Sequence, residues 1–250
     1  MAFWEVWNWS KKAGLDSVIH AAEERRRFLQ RLDHELKNPL TAILAGLANL
    51  TAPENVTIGH ETLFSVETQV KRLSRLVAEL RKLSDLETRE LEFSAVNLTD
   101  LLQEAYDLSL DQSEANDRHL SISIPRAPWP LPSVSGDRDL LFLAVHNLLN
   151  NALKFTRPGD MVEIRAFEDN QYDVIEVADT GPGIPDDEAP HVWEELYRGV
   201  GARGIPGSGL GLALVKAIVA RHHGQVTLRS RSGQGTVFTI RLPIAHPSKK

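Results

Sequence analysis

Four short stretches of this 250-residue chain bring together residue types at spacings that allow chemistry. The first is Asp33-His34-Glu35-Leu36-Lys37-Asn38-Pro39. On a helix, His34 and Asn38 are one turn apart and share a face, with Glu35 beside it. An imidazole that titrates near neutrality can act as base, ligand or nucleophile, and a neighbouring carboxylate can orient it. Pro39 offers no N–H to the Glu35 carbonyl and crowds it, so the helix is expected to bend where His34 is displayed. The plainer reading is an exposed histidine beside an ordinary proline kink.

The second stretch is Asn147-Leu148-Leu149-Asn150-Asn151-Ala152-Leu153-Lys154-Phe155. Leu148, Ala152 and Phe155 form one stripe that should pack on a sheet, while Asn147, Asn151 and Lys154 share another face. Asparagine is a poor helix former, so three in nine positions need a reason. Two neutral oxygens and one ammonium suit a magnesium ion whose counter-charge comes from bound phosphates; the alternative is a solvated helix face. The third stretch, Asp179-Thr180-Gly181-Pro182-Gly183-Ile184, follows a strand. Its aspartate can accept from an exocyclic amine, and its glycines let backbone approach a flat ligand, although the same residues also make a simple tight turn. The fourth, Gly207-Ser208-Gly209-Leu210-Gly211-Leu212, opens a helix whose free N–H groups form a phosphate cradle. It is neither a Walker A loop nor a dinucleotide fingerprint, since no Lys-Ser/Thr follows and no strand leads into it.

Such residues act only if folded elements hold them. Over the first 90 residues Leu29, Leu32, Leu36, Leu40, Ile43, Leu47 and Leu50 recur at steps of three or four, a helical period. Residues 51–59, with Pro53, Asn55 and Gly59, read as an interhelical turn. A second helix carries Leu63, Val66, Val70, Leu73, Val77 and Leu80 as a heptad seam among charges such as Lys71, Arg72, Glu79 and Arg81. An isolated pair of helices cannot bury both stripes, whereas two copies can, as a four-helix bundle. From about Leu91 the texture changes to strands at 120–124, 161–167 and 172–178, a closing hairpin of 225–230 and 236–242, and helices at 137–155 and 209–222. Between Ile184 and Gly211 runs a long Gly- and Pro-containing stretch with one short amphipathic helix, a loop of functional length. This half reads as an α/β sandwich.

Composition narrows the classes further. Apolar residues make up 42% and charged residues 25%, which supports a folded core and excludes a mainly disordered chain. A net charge of −6 gives no general attraction for nucleic acid or an anionic bilayer. The lack of cysteine excludes disulfides, thiolate zinc sites, thiol catalysis and thiol redox sensing. No apolar run approaches the roughly 18–20 residues of a membrane span. The opening MAFWEVWNWS lacks the cationic region and cleavage site of a signal peptide. A cytoplasmic chain with neither a transmembrane span nor a nucleic-acid partner is the expectation.

The order of the four stretches resembles that of the sensor histidine kinases of two-component systems, over residues from about 20 to 243. His34 stands in what looks like the H box, 147–155 in the N box, 179–184 in the G1 box and 207–211 in the G2 box. Gly235-Thr236-Val237-Phe238 is similar to the last glycine box. The resemblance implies an ATP-dependent protein-histidine kinase with His34 as phosphoacceptor. It implies that Asn151, helped by Asn147, holds Mg²⁺ and that Lys154 contacts phosphate. Asp179 would read the adenine amino group with Gly181 and Gly183 lining the pocket, and Gly207, Gly209, Leu210 and Gly211 would hold the lid and phosphates, with Thr236 at the nucleotide. Glu35-x-x-Asn38 matches the motif by which the family dephosphorylates its response regulator, so catalysis is assigned to His34, Glu35 and Asn38. The implied fold is α plus α/β. It comprises a Trp-rich segment at 1–19, a hairpin at 20–90 that dimerises into a four-helix bundle, and an ATP-binding sandwich of the gyrase type at 91–250. The implied partners are a second copy of the chain, a response regulator and a protein that senses the signal.

Some positions depart from the family pattern. Asp33 replaces the usual serine, and Lys37-Asn38 stand where Arg-Thr is frequent. Residues 191–198 resemble the F box, with Trp193 and Leu196 in place of phenylalanines and with Tyr197 and Arg198 as candidate nucleotide contacts. The other histidines (20, 60, 119, 146, 191, 222, 223 and 246) lack metal-ligand spacing and are read as surface or core residues. Trp4, Trp7 and Trp9 suit capping the bundle, docking a partner or touching a membrane interface. Two other readings remain at this point: a phosphatase-biased or non-catalytic ATP-binding module that binds a regulator, and an ATPase or serine kinase sharing the nucleotide fold.

Overall fold

In the computed structural model the described residues are 2–51, 59–111, 117–125 and 130–244, with side chains from residue 22 onward except at 24 and 51. The interhelical turn, the side chains of the three N-terminal tryptophans and of the histidine at 20, and the histidine at 246 therefore lie outside what is described. Two compact units divide the chain, Met1–Val77 and Ala78–Lys250.

The first unit is a helical hairpin. Helix α1 (Ala2–Thr51) runs through Pro39 without interruption, and α2 (Gly59–Thr88) begins in this unit and ends in the second. The helices meet closely at Gly46, where an added Cβ would lie 2.6 Å from the Val66 methyl group. Lacking a side chain there brings the two backbones near enough for Val66 to fill the gap. The heptad seam of α2 splits into two lines. Val66, Leu73 and Leu80 are half-buried, whereas Leu63, Val70 and Val77 are 53%, 46% and 57% exposed. On α1, Leu29, Leu40, Leu44 and Leu47 are exposed as well. The charged run Glu23 to Arg27 lies on a solvated face at the described positions Glu23, Arg25 and Arg26.

The second unit stacks helices on a five-stranded sheet of order β2-β4-β5-β7-β6. Its strands are β2 (His119–Ser123), β4 (Met161–Asp169), β5 (Tyr172–Asp179), β6 (Gln225–Ser230) and β7 (Thr236–Pro243). Only β2 and β4 pair in parallel. The helices are α3 (Leu98–Leu110), α4 (Arg138–Phe155) and α5 (Gly211–Arg221). Alternation along the strands buries Val162, Ile164 and Ala166 of β4, Ile175 and Val177 of β5, and Phe238, Ile240 and Leu242 of β7. Against them pack Leu101, Leu102, Leu148, Leu149, Leu153 and Ile218 from the helices. Each fully buried leucine contributes roughly 1.5–3 kcal/mol. On the other face Glu176 takes both Arg165 and Arg229, at 3.1 and 3.2 Å, and Arg241 pairs with Asp169 at 2.7 Å.

A two-stranded antiparallel pair, β1 (Ser94–Val96) with β3 (Val134–Gly136), adds to the expected elements, as does α3. Asn97 caps α3 by accepting from the Thr99 and Asp100 N–H groups, and Leu98, Leu101, Leu102 and Ala105 bury its inner face. One expectation fails. The short helix foreseen between Ile184 and Gly211 is a series of tight turns, with N–H groups of Glu188, His191, Glu194 and Tyr197 each reaching three residues back. Pro190 lacks the N–H a helix would need, and Leu196 sits at φ +59°, which ends any helical run. The segment keeps one turn of 3-10 helix, Val200–Ala202.

Candidate active site

In the hairpin, His34 and Asn38 are both exposed on α1, one turn apart. Glu35, beside them, is half-buried and its Oε2 accepts from Arg72 of α2 at 2.7 Å. The carboxylate is therefore anchored across the hairpin, so its position relative to His34 is set by both helices.

The second unit has a cavity of about 230 Å³, far beyond a packing void. Separate segments of the sequence converge on it. Helix α4 supplies Asn147, Asn151 and Lys154; the end of β5 supplies Asp179, and the following turn Gly183; the lid segment supplies Tyr197 and Arg198. The stretch leading into α5 supplies Gly207, Gly209 and Gly211, and β7 supplies Thr236. Gly181 and Leu210 back the cavity without lining it. Gly181 is buried and donates its N–H to Asp179 Oδ1 at 2.9 Å, and Leu210 is the buried residue on which α5 starts.

The geometry explains why these residue types are used. Asn147 donates from its Nδ2 to the Leu143 carbonyl at 3.0 Å, which turns its Oδ1 toward the first residue of α5. A Cβ at Gly211 would lie 3.5 Å from that oxygen. The amide oxygens of Asn147 and Asn151 and the Lys154 ammonium thus form a donor set with no carboxylate. It fits a Mg²⁺ ion only when a polyanion supplies the charge, and ATP is such a polyanion. Among the described residues no cluster of three or more His, Asp or Glu side chains could hold a metal on its own. Gly209 must be glycine twice over: its φ is +80°, and a Cβ would meet the Tyr197 carbonyl oxygen at 2.7 Å. At Gly183, φ +69°, a Cβ would run into the Arg231 carbonyl.

Burial pushes the Asp179 carboxyl up to about 6, against the pull of the Gly181 and Thr236 backbone N–H groups and with the help of Asp160. A carboxylate held at the floor of a cavity by two backbone donors keeps a lone pair for a ligand amine. Beside Asn147 on α4, His146 is kept below the ordinary histidine range by burial first and by Lys154 and Lys82 second. Its ring stacks on Phe142 with centroids 5.8 Å apart.

The lid is anchored rather than loose. Trp193, at a phenylalanine position of the family pattern, meets Phe238 edge-on at 5.8 Å, and Leu196 is buried. The Arg198 guanidinium donates to the carbonyls of Ala202 and Ile205 at 2.7 and 2.5 Å, so here it braces the lid. Glu188 accepts from the Val200 N–H at 2.9 Å. Ser208 donates to Glu79 of α2 and accepts from the Leu210 N–H at 3.1 Å.

Two family models match the chain: His Kinase A (phospho-acceptor) domain over residues 24–89, and Histidine kinase-, DNA gyrase B-, and HSP90-like ATPase over residues 136–246. The chain belongs to the sensor histidine kinases of two-component systems. It is 31% identical to the sensor histidine kinase YclK of Bacillus subtilis (strain 168) over 93% of its own length and 50% of that protein. It is 32% identical to the signal transduction histidine-protein kinase/phosphatase MprB of Mycobacterium sp. (strain KMS), over 92% of its length and 45% of that protein. Among solved structures, full-length ShkA in complex with AMPPNP is 27% identical, with a TM-score of 0.63, over 88% of this chain and 46% of that one. The chain thus spans about half the length of the histidine kinases it matches. No helix among the described residues is long and apolar enough to cross a membrane.

Sequence reasoning missed several residues of this cavity. Glu79, Glu188, Ile184 and Phe238 line the cavity, and Ser230 supports it from behind. Glu79, Glu188 and Ser230 lie outside the stretches singled out in the sequence, whereas Ile184 and Phe238 close two of them.

Proposed function

We propose that this chain binds Mg·ATP in the cavity of its second unit, phosphorylates itself on His34 and passes the phosphoryl group to an aspartate of a response regulator. The observation that carries this reading is the convergence of Asn147, Asn151, Lys154, Asp179, Gly209 and Thr236, from dispersed motifs, on one cavity. Asp179 accepts from the adenine amine. Lys154 and the N–H groups opening α5 face the phosphates. Asn147 and Asn151 would hold Mg²⁺ through their amide oxygens, and the ion would neutralise charge on the phosphates. A ring nitrogen of His34 attacks the γ-phosphorus in line, the bond to the β,γ-bridging oxygen breaks, and ADP leaves. Glu35, held by Arg72, orients the imidazole or takes its proton.

The same hairpin supports the reverse task. Asn38 lies one turn from His34, where its amide positions a water for attack on the phosphorylated regulator, with Glu35 between them in sequence. The pairing of kinase and phosphatase in the name of the relative MprB supports this second activity. Two copies of residues 20–90 form the bundle, residues 91–250 form the nucleotide-binding domain, and the kinase works in the cytoplasm, where ATP and regulators are found.

Incubation with labelled Mg·ATP tests the reading. An acid-labile, base-stable label is expected on the wild type and none on His34→Gln, with ATP binding retained. An acid-labile label on His34→Gln overturns the assignment of the phosphoacceptor, and an acid-stable label on the wild type makes the chain a serine or threonine kinase. Asn38→Ala is expected to spare autophosphorylation and slow regulator dephosphorylation about 10- to 100-fold, the scale of a lost positioning group. Equal loss of both refutes the division of labour.

A further inference from the structure

We propose that Ser230 is a positioning residue for base recognition: its hydroxyl fixes the rotor of Thr236 and the Gly181–Ile184 turn, so that the cavity offers only acceptors to the purine 6-position. The inference rests on the reading of the cavity as an adenine nucleotide site.

Ser230 ends β6 and lies outside the cavity wall, half-buried beneath the turn. Its hydroxyl is fully engaged. It accepts from the Ile184 N–H at 2.7 Å, donates to the Gly235 carbonyl at 2.9 Å and lies 3.0 Å from Thr236 Oγ1. A hydroxyl has one hydrogen, and here Gly235 takes it. The hydrogen shared by the two hydroxyls must then come from Thr236. That leaves Thr236, 5% exposed and lining the cavity, with only lone pairs to present.

Thr236 is the direct cross-strand neighbour of Asp179, and its backbone N–H binds the Asp179 carboxylate. The Gly181 N–H is spent on Asp179 as well, and a bond from the Gly233 N–H to the Pro182 carbonyl, 2.7 Å, ties the turn to the β6–β7 hairpin. The purine end of the cavity therefore presents two acceptors side by side, Asp179 and Thr236, with the N–H groups of Gly181, Ile184 and Thr236 already used. An exocyclic amine has two hydrogens and suits that pair, directly or through one water. A 6-oxo purine brings an acceptor and is repelled. Without the Ser230 hydroxyl, Thr236 can rotate its hydrogen into the cavity and donate to a 6-oxo group, while the Ile184 N–H loses its partner and the turn loosens.

Binding of Mg·ADP and Mg·IDP to the full chain tests this, with the melting transition recorded for each variant. The wild type is expected to favour ADP. Ser230→Ala is expected to reduce the ADP-over-IDP preference about tenfold, the discrimination a single buried hydrogen-bonding group supplies, and Ser230→Thr, which restores a hydroxyl, is expected to recover it. A lower melting point with an unchanged preference means Ser230 is merely structural and overturns the inference. If Ser230→Ala does not fold, Thr236→Val decides: a preference equal to wild type overturns the inference equally. Failure of the underlying reading is distinguishable, since then the wild type itself does not prefer ADP, or Asp179→Asn leaves the preference intact.

Discussion

At the scale of single residues, the site is built from groups whose protonation or shape is set by their surroundings. Asp179 is the clearest case. Only the ionised carboxylate can accept from an adenine amine at both oxygens, and its carboxyl is held at about 6 by burial. Protonation as pH falls through 6 adds a hydrogen where a lone pair is needed, so ATP affinity is expected to drop between pH 7 and pH 5. Titration of nucleotide binding against pH checks this, with Asp179→Asn as the reference. The variant is expected to bind ATP at least tenfold more weakly at pH 7.5, as for a buried hydrogen bond to a charged group, and to lose most of the acid dependence. An acid dependence that survives in the variant assigns the titration to another group. Gly209 is the steric counterpart: Gly209→Ala forces a side chain into positive φ and against the Tyr197 carbonyl. Loss of ATP binding by more than tenfold is expected, with the melting transition lowered by less than for a core substitution. The residues legible in the sequence were those in contiguous motifs, where asparagine or glycine is costly without a purpose. Ser230 was not legible, because an ordinary serine at a strand end acquires its role only by meeting Ile184, 46 positions away.

At the scale of elements, legibility followed length and period. Strands of five residues or more, together with α4 and α5, carry enough repeats to declare themselves and were read to within a few residues. The 13-residue α3 was not foreseen, and α1 runs from Ala2 through the stretch read as a separate N-terminal segment. The three-residue strands β1 and β3 carry none, and they exist because tertiary pairing holds them. The lid was read as a helix from its amphipathic pattern, but Pro190 and the positive φ of Leu196 replace helical bonds with turns. The elements also explain how α4 and α5, the two helices that line the cavity, are fixed at their far ends. His222, buried at the end of α5, accepts the Asp137 N–H on Nε2 at 2.9 Å and bonds the Ile218 carbonyl through Nδ1 at 2.8 Å. Asp137 in turn caps α4 and holds Arg89 at 3.4 Å, while Arg221 donates to the carbonyls of Leu86 and Arg89 at the end of α2. Accepting at Nε2 requires the neutral ring, and burial foremost keeps His222 below the ordinary histidine range. A histidine with a depressed folded pKa contributes stability that is present above its unfolded pKa of about 6.5 and lost as pH falls below it. His222→Ala is therefore expected to destabilise the protein by about 2–3 kcal/mol near pH 7.5, from a lost buried hydrogen bond and ring packing, and by clearly less near pH 5. Denaturant unfolding at the two pH values measures the difference. A penalty that does not shrink with acid means the neutral ring is not what the joint requires.

At the scale of the whole molecule, the hairpin poses a question that one chain cannot answer. Leu63, Val70 and Val77 fall at heptad intervals along α2, and all three are about half exposed or more. Leu40, Leu44 and Leu47 on α1 add to that surface. A sustained apolar line at heptad spacing is a coiled-coil seam, and a second copy of the same hairpin presents the matching seam. Covering each such side chain is worth roughly 1.5–3 kcal/mol when burial is complete, so several per copy can outweigh the entropy of association. Val70 lies at the centre of the line. Val70→Asp puts a carboxylate into the seam with no partner, which costs more than the methyl contacts it removes. Sedimentation is expected to show a dimer for the wild type and a monomer for Val70→Asp, while ADP affinity, a property of the cavity in the second unit, stays within about twofold. A Val70→Thr variant, with similar shape and no charge, is expected to remain dimeric. Dimers in all three proteins would place the association surface elsewhere, and a monomeric wild type would mean that the exposed seam waits for a different helix.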